Sequence, residues 1–385
     1  MTRIVDIFKK IRWKYYANYI AIAIVTIVFS ALALGDSLPS STLYLLERIT
    51  ISIILAVSLG LVVGFLGELS LGHAGFMCIG AYIGGKLALV LSDAGLGDSI
   101  ATLIIAMVVG AAVAAIAGLV VGLPALRLKG DYLAIVTLAF GEIVKTIFEN
   151  SSSDSFGGPM GLRTPRFDKQ YLFIIGFVMV LITLAVIQNL IRSKHGRAIT
   201  AIRDNEIAAK ATGISVTKYK LVAFIISAAF AGVAGVLYSY SVSTVSAATF
   251  NYNYSIEILV MVVLGGMGNI SGSIISATLV TYINTQLQNV LTGDLAVLKD
   301  IIYALVLILL IVYNNAPKLK GIREKYNLHR LLGKIFKKQS EHKYADDNVV
   351  WGRVPTKIDM NEVLSTDMVV NESVKNPDKE ERSDG

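Results

Sequence analysis

Apolar residues arrive in blocks of about 17 to 25 separated by short polar stretches, the length a helix needs to cross a hydrocarbon core about 30 Å thick. The blocks lie near 19–34, 49–66, 72–91, 100–123, 132–148, 171–191, 221–240, 256–264, 273–287 and 295–313. Lipid offers no hydrogen bonds to the backbone, so a spanning segment is either a helix or a strand of a closed barrel. The apolar-polar alternation over about ten residues that marks a barrel strand is absent. The segment 256–264 is too short to cross alone. The expected fold class is therefore an all-α integral membrane protein, a polytopic bundle of about 8–10 transmembrane helices with broken or re-entrant segments.

Composition excludes an ordinary soluble domain. Hydrophobic residues make up 54% of the chain and charged residues only 16%, against about 25% charged in soluble proteins. The formal net charge is +7, and the basic residues gather beside span ends. Arg3, Lys9, Lys10, Arg12 and Lys14 precede the first block. Counting outward from a cytoplasmic start puts Arg127 and Lys129, the stretch 192–220 and the tail after Pro317 inside as well. The charge thus reads as topology and gives no reason to expect nucleic acid. A multi-pass protein of the cell membrane with cytoplasmic N- and C-termini is expected. The loop 150–170 runs against the rule with Arg163, Arg166 and Lys169, offset in part by Asp154 and Asp168. The basic start and Ala31-Leu32-Ala33 also have the form of a cleavable signal; an uncleaved first span is expected, because the later blocks are equally apolar.

Two glycine-dense stretches interrupt the apolar pattern. One is 67–76, with Ser70, Gly72, His73, Gly75 and Phe76; the other is 264–272, with Gly265, Gly266, Gly268, Asn269 and Gly272. Any single glycine is explained by close helix packing. Ser70, His73, Asn269 and Ser271 add polar side chains that packing does not require, so the two stretches as wholes are expected to be broken helices lining a translocation pathway. His73 lacks a second histidine or a carboxylate at helical spacing, and is expected to hydrogen-bond within the break. Glu142 and Lys145, three apart, are expected to pair along one helix face, and Glu47 and Arg48 to sit at a span edge, where long side chains reach water. Cys78, the single cysteine, is expected to be a packing residue; no disulfide framework or cysteine metal cluster is available.

Between Gly196 and Gly213 the chain is rich in alanine and charge without a helix breaker, and too polar to span. One or two short helices outside the membrane are expected, with Ile199, Ile202 and Ala209 as an apolar face and Gly213 as the stop. Its functional reading, against that of a solvated connector, stays open on these grounds. Residues 327–338 set Leu328, Leu331, Leu332, Ile335 and Phe336 among basic residues, the pattern of a helix lying on an anionic lipid surface. The polar stretch 339–385 is expected to be disordered. The expected organisation is a basic N-terminus at 1–18, a permease domain at 19–313 with a cytoplasmic loop at 192–220, a basic amphipathic segment at 314–338, and the tail. No phosphate loop of the Gly-x-x-x-x-Gly-Lys-Ser/Thr kind occurs, nor a nucleophile–base arrangement or a zinc-type cluster. No intrinsic enzyme activity, cofactor or metal is expected.

The runs 70–76 (SLGHAGF), 128–138 (LKGDYLAIVTL), 157–161 (GGPMG), the 196–213 stretch and 263–268 (VLGGMG) together resemble the LivM-type permeases of branched-chain amino-acid ABC importers, in register from about 49 to 313. The resemblance implies a second, LivH-like permease subunit, two cytoplasmic ATPases of the LivG and LivF type, and an external solute-binding protein. It also implies that Arg197, Arg203, Asp204, Asn205, Glu206, Ala208, Ala209 and Gly213 belong to a cytoplasmic coupling helix docking on the ATPase, although Ile207 interrupts the Glu-Ala-Ala form of other importers. Leucine, isoleucine and valine are the implied solutes. Urea or amides, sugars and nucleosides are the alternatives within the superfamily, and an ion-gradient-driven carrier is the rival outside it. Carriers of that kind usually keep buried carboxylates, which are few here.

Overall fold

The computed structural model describes residues 17–34, 39–97, 99–128, 130–164 and 169–290, with positions 304, 305 and 308. All lie in one compact unit, Met1–Asn315. The basic start before residue 17, the segment 314–338 and the tail fall outside the described residues, as does the block 295–313 apart from those three positions. The described elements are helical but for a pair of two-residue strands. In chain order the helices are α1 (Ala17–Leu34), α2 (Ser40–Gly60, continued by a π-helical turn Leu61–Leu66), α3 (His73–Leu91), α4 (Ile100–Ala125), α5 (Asp131–Glu149), α6 (Ser153–Phe156), α7 (Lys169–Arg192), α8 (Lys194–Asp204), α9 (Glu206–Ala211), α10 (Val216–Ser241), α11 (Tyr252–Gly265) and α12 (Ile270–Val290). Five segments are long and apolar enough to cross a membrane: Ser40–Leu66, His73–Gly95, Ile100–Ala125, Tyr171–Arg192 and Val216–Ser241.

Helix α2 is the axis of the bundle, buried at every position from 51 to 64, with α7, α10, α11 and α12 packed around it. It starts after Pro39 in extended conformation, because nothing in Ser40-Ser41-Thr42 or the following Leu-Tyr-Leu-Leu opposes a helix. That early start corrects one expectation: Glu47 and Arg48 lie two turns inside the helix, and Glu47 is buried, so neither marks a span edge. Helices α3, α4 and α10 form a second group, whose backbones nearly touch. A Cβ on Gly80 of α3 would fall 2.1 Å from the Gly232 carbonyl oxygen of α10, and one on Gly235 would fall 2.0 Å from that of Met77. Close approach of this kind replaces hydrophobic attraction as the means of joining helices in lipid. Cys78 is fully buried in the same region. The opposite face of α4 exposes Ile104, Ile105, Val108, Ile116 and Val120, an apolar surface suited to lipid.

One end of the bundle is closed by the two strands, β1 (Leu162–Arg163) and β2 (Thr244–Val245), paired antiparallel with Leu162 opposite Val245. Tyr82 Oη donates to the Val245 carbonyl at 3.1 Å and Thr164 Oγ1 to that of Val242 at 2.8 Å. The loops 150–164 and 242–250 thus form one cap over α3 and α10.

Candidate functional site

The first glycine-dense stretch is a loop that doubles back into the bundle. After the π-turn, Gly67 takes a left-handed conformation (φ 80°), and Glu68 N donates to the Val62 carbonyl at 3.1 Å. The chain then runs without regular structure until α3 begins at His73, whose Nε2 lies 2.9 Å from Ser58 Oγ. Ser58 is eight residues before Leu66, so α3 starts about 12 Å back from the end of α2. Four contacts fix this start. Leu71 N donates to Thr137 Oγ1 of α5 at 3.0 Å, and Ala74 N to Ser255 Oγ of α11 at 3.1 Å. Ser227 Oγ of α10 donates to the Ser58 carbonyl at 2.7 Å. Gly72 lies so close to the Thr137 carbonyl oxygen that a Cβ would stand 2.4 Å from it. Ser70 is buried, Gly75 faces Gly141 of α5, and Phe76 packs between Phe140 and Phe224, with ring centroids at 4.9 and 5.5 Å.

The second stretch is the turn of a helical hairpin. Helix α11 has 14 residues, about 21 Å, too short for a hydrocarbon core of about 30 Å. It begins beside the start of α3 and runs the opposite way. Asn251 Oδ1 accepts from Tyr254 N at 3.1 Å, and Glu142 Oε1 accepts from Tyr252 N at 2.8 Å while its other oxygen pairs with Lys145 at 3.1 Å. Gly266 and Gly268 turn the chain (φ 90° and 82°). Helix α12 then folds back with Gly272 against Gly265, Asn269 Oδ1 accepting from Gly272 N at 3.3 Å.

The charged stretch forms α8 and α9, held together at a break. Ser193 caps α8 by accepting from His195 N and Gly196 N, and Ile199 and Ile202 bury the helix's apolar face, as Ala209 does that of α9. Asn205 ends α8 in extended conformation and caps α9, its Oδ1 accepting from Ala208 N at 3.0 Å. Gly213 follows at φ 85°.

These three pieces meet. Arg203 Nη1 donates to the Gly64 carbonyl at 3.1 Å, lies 3.6 Å from the Cβ position of Gly268, and carries Asp204 on its other side at 2.9 Å. Its aliphatic stem covers Gly67. A Cβ on Gly64 would fall 2.4 Å from Gly268 N, so the two loops touch at backbone distance under the Arg203 side chain. Beside them Lys220 of α10, only 3% exposed, bonds to Glu68 of the first loop and lies 3.3 Å from Glu206 Oε2 of α9. One buried cation thus ties the first loop to α9. Removing one member of a buried pair costs about 3–5 kcal/mol, because the other charge stays behind unpaired.

The geometry brings together Arg203, Asp204, Glu206 and Gly268, with Gly265, Gly266, Asn269 and Gly272 in the adjoining turn. Ser70, Gly72, His73, Gly75 and Phe76 sit deeper, around the start of α3. Arg197, exposed and aimed at the Arg192 carbonyl, Ala208 and Gly213 stand away from the junction. Lys220, Glu68, Ser58, Thr137 and Ser255 are participants that sequence reasoning passed over. Glu68 and Lys220 are 152 positions apart, and no local pattern links them; a lysine followed by an unbroken apolar helix was the one available signal.

Residues 41–311 match the family described as branched-chain amino acid transport system, permease component. The high-affinity branched-chain amino acid transport system permease protein LivM of Salmonella typhimurium is 38% identical over 261 residues, 60% of this chain and 59% of the relative, and LivM of Escherichia coli gives the same figures. The ribose import permease protein RbsC of Escherichia coli is 26% identical over 318 residues, 77% of this chain and 92% of the relative. The chain spans about 59% of the length of the two LivM relatives. No solved structure matches.

Proposed function

Given that the chain belongs to the family of branched-chain amino acid transport permease components, we propose that it is a translocation subunit of an ATP-driven importer for leucine, isoleucine and valine. An external solute-binding protein delivers the solute, a second permease subunit of LivH type completes the pathway, and two cytoplasmic ATPase subunits supply the energy, so that this chain is not itself an enzyme. The junction of α8–α9 with the two loops lies on the cytoplasmic side, in the inner membrane, with both termini inside. The loop 192–220 is the ATPase-docking part of a permease domain at 19–313, followed by a lipid-facing segment at 314–338 and a disordered tail.

The observation that carries this reading is that the element expected to dock on the ATPase is tied to the first broken segment, by Arg203 to Gly64 and by Glu206 through Lys220 to Glu68, and lies against the second where Arg203 passes close to Gly268. ATPase closure moves α8 and α9 as a body. Arg203 and Lys220 pass that movement to the Gly64–Glu68 turn, and so to the start of α3, switching the pathway between outward and inward access. The translocation residues are those at the α3 start and the α11–α12 turn; the docking residues are Arg197 to Gly213.

The test is co-purification of the ATPases with the wild-type chain and with Glu206→Lys, together with ATP-dependent uptake of labelled leucine in vesicles. Loss of the ATPases and of uptake in the variant supports the reading, whereas uptake driven by an imposed ion gradient without ATPases overturns it. A sugar is the second reading, favoured by the long match to the ribose permease. Labelled ribose in the same vesicles decides between the two solutes.

A further inference from the structure

Helices α4 and α5 both present a long exposed face, and the two faces differ in chemistry. That of α4 is aliphatic, and no charged residue occurs between Ile100 and Ala125. That of α5 is a stripe at helical spacing, Tyr132, Ile135, Ala139, Ile143, Thr146 and Ile147, in which Ile135, Ile143 and Ile147 are 61%, 59% and 61% exposed. With 19 residues α5 is about 28 Å long, close to the hydrocarbon thickness of about 30 Å. It passes the start of α3 at Gly141 and reaches the cap at Phe148, whose ring stacks on that of Tyr82 with centroids 4.4 Å apart.

What sets the α5 stripe apart is the pair of charges at its edge. Glu142 lies about 16 Å along the helix from Asp131, near the middle of the span, and it and Lys145 are 33% and 21% exposed. Both carboxylate oxygens are engaged, one by Tyr252 N and one by Lys145. The ammonium has three donors, of which one is used among the described residues. Beside the pair, Tyr252 and Ile256 of α11 are exposed as well. Neither lipid nor water suits such a face. Lipid would leave two partly exposed charges near the centre of the hydrocarbon, a costly placement, and water would wet the isoleucines along the whole stripe. A protein surface suits both parts. Small Ala139 admits a second backbone, the isoleucines pack beside it, and a polar group meets the ammonium, the combination by which helices join in lipid.

Building on the importer reading, we propose that the α5 stripe, with Tyr252 and Ile256, is the surface on which the second permease subunit packs. That subunit presents a helix carrying an acceptor, a carboxylate or a side-chain amide, opposite Lys145. The other side of α5 holds the start of α3 through Thr137, and Glu142 holds the start of α11. The subunit seam and the two broken segments therefore share one helix, and the pathway runs beside the seam. The exposed face of α4 is left to lipid.

The experiment uses the complete importer in lipid nanodiscs. Cys78 is buried, so a thiol introduced as Ile143→Cys takes a benzophenone maleimide, and Ile116→Cys on the exposed face of α4 is the control. Illumination should join Ile143→Cys to the second permease subunit and give Ile116→Cys adducts with lipid alone. Ala139→Trp, too bulky for close helix contact, should lower the second permease recovered with the chain about tenfold, and Ile116→Trp should leave it unchanged. An Ile143→Cys adduct with lipid alone, or with a second copy of this chain, overturns the proposal, as does full recovery of the second permease with Ala139→Trp. The cross-link, made at an exposed residue, decides the matter even if Ala139→Trp fails to fold. Failure of the importer reading shows separately, as a wild-type chain that brings down neither a second permease nor the ATPases.

Discussion

Lys220 shows how much a single residue can organise. Its ammonium is buried between Glu68 and Glu206, which are 12% and 34% exposed. Replacing it by methionine preserves the stem and removes the charge, leaving two carboxylates facing each other at the edge of the bundle. The expected cost is about 3–5 kcal/mol, whereas Glu206→Gln, which loses only the more solvated partner, costs about 1 kcal/mol or less. Thermal unfolding of the purified chain in detergent compares the two; equal melting temperatures would remove Lys220 from the centre of the junction. The pairing was invisible in the sequence because it joins a loop residue to a helix residue 152 positions away. His73 was more legible. A lone histidine in an apolar run, without an acid at helical spacing, suggested hydrogen bonding within the helix break, and it lies 2.9 Å from Ser58 Oγ as the first residue of α3.

Among elements, the 256–264 block was too short to span alone and left a re-entrant piece open, and α11, at 14 residues, is likewise too short to cross a full hydrocarbon core by itself. Gly213 and the apolar positions Ile199, Ile202 and Ala209 likewise announced where α8 and α9 pack and stop. The division between those two helices was not legible, because 196–213 contains no breaker; Asn205 makes the break by leaving helical conformation and lending its side chain to Ala208 N. Asn205→Ala removes that cap at a cost of about 1 kcal/mol and favours one continuous helix, which would carry Glu206 away from Lys220. Leucine uptake per ATP hydrolysed should fall while the ATPases still co-purify; an unchanged ratio would mean that the angle between α8 and α9 plays no part in transmission. The start of α2 was misjudged by nine residues for the opposite reason: polar Ser, Thr, Glu and Arg dilute hydropathy without hindering a helix, and tertiary burial decides the boundary.

The described bundle has a junction end and a capped end, and the proposed orientation puts them on opposite sides of the membrane. The single cysteine is buried, so thiols introduced one at a time at exposed Lys210 and Ser153 report on their own sides. An impermeant maleimide should label Ser153→Cys from outside intact cells and Lys210→Cys only after the membrane is opened; the reverse pattern would invert the topology. Within that frame, α3 and α11 run in opposite directions from neighbouring starts, with Ser255 of one accepting from Ala74 N of the other. Two helix N-termini therefore meet inside the bundle, each carrying about half a positive charge, offset on one side by Glu142. Such a pair is an electrostatic barrier to small cations. Vesicles containing this chain should hold a proton gradient as long as empty ones, followed with an entrapped pH dye, which would let a cell keep a solute gate in its energised membrane without short-circuiting the potential across it.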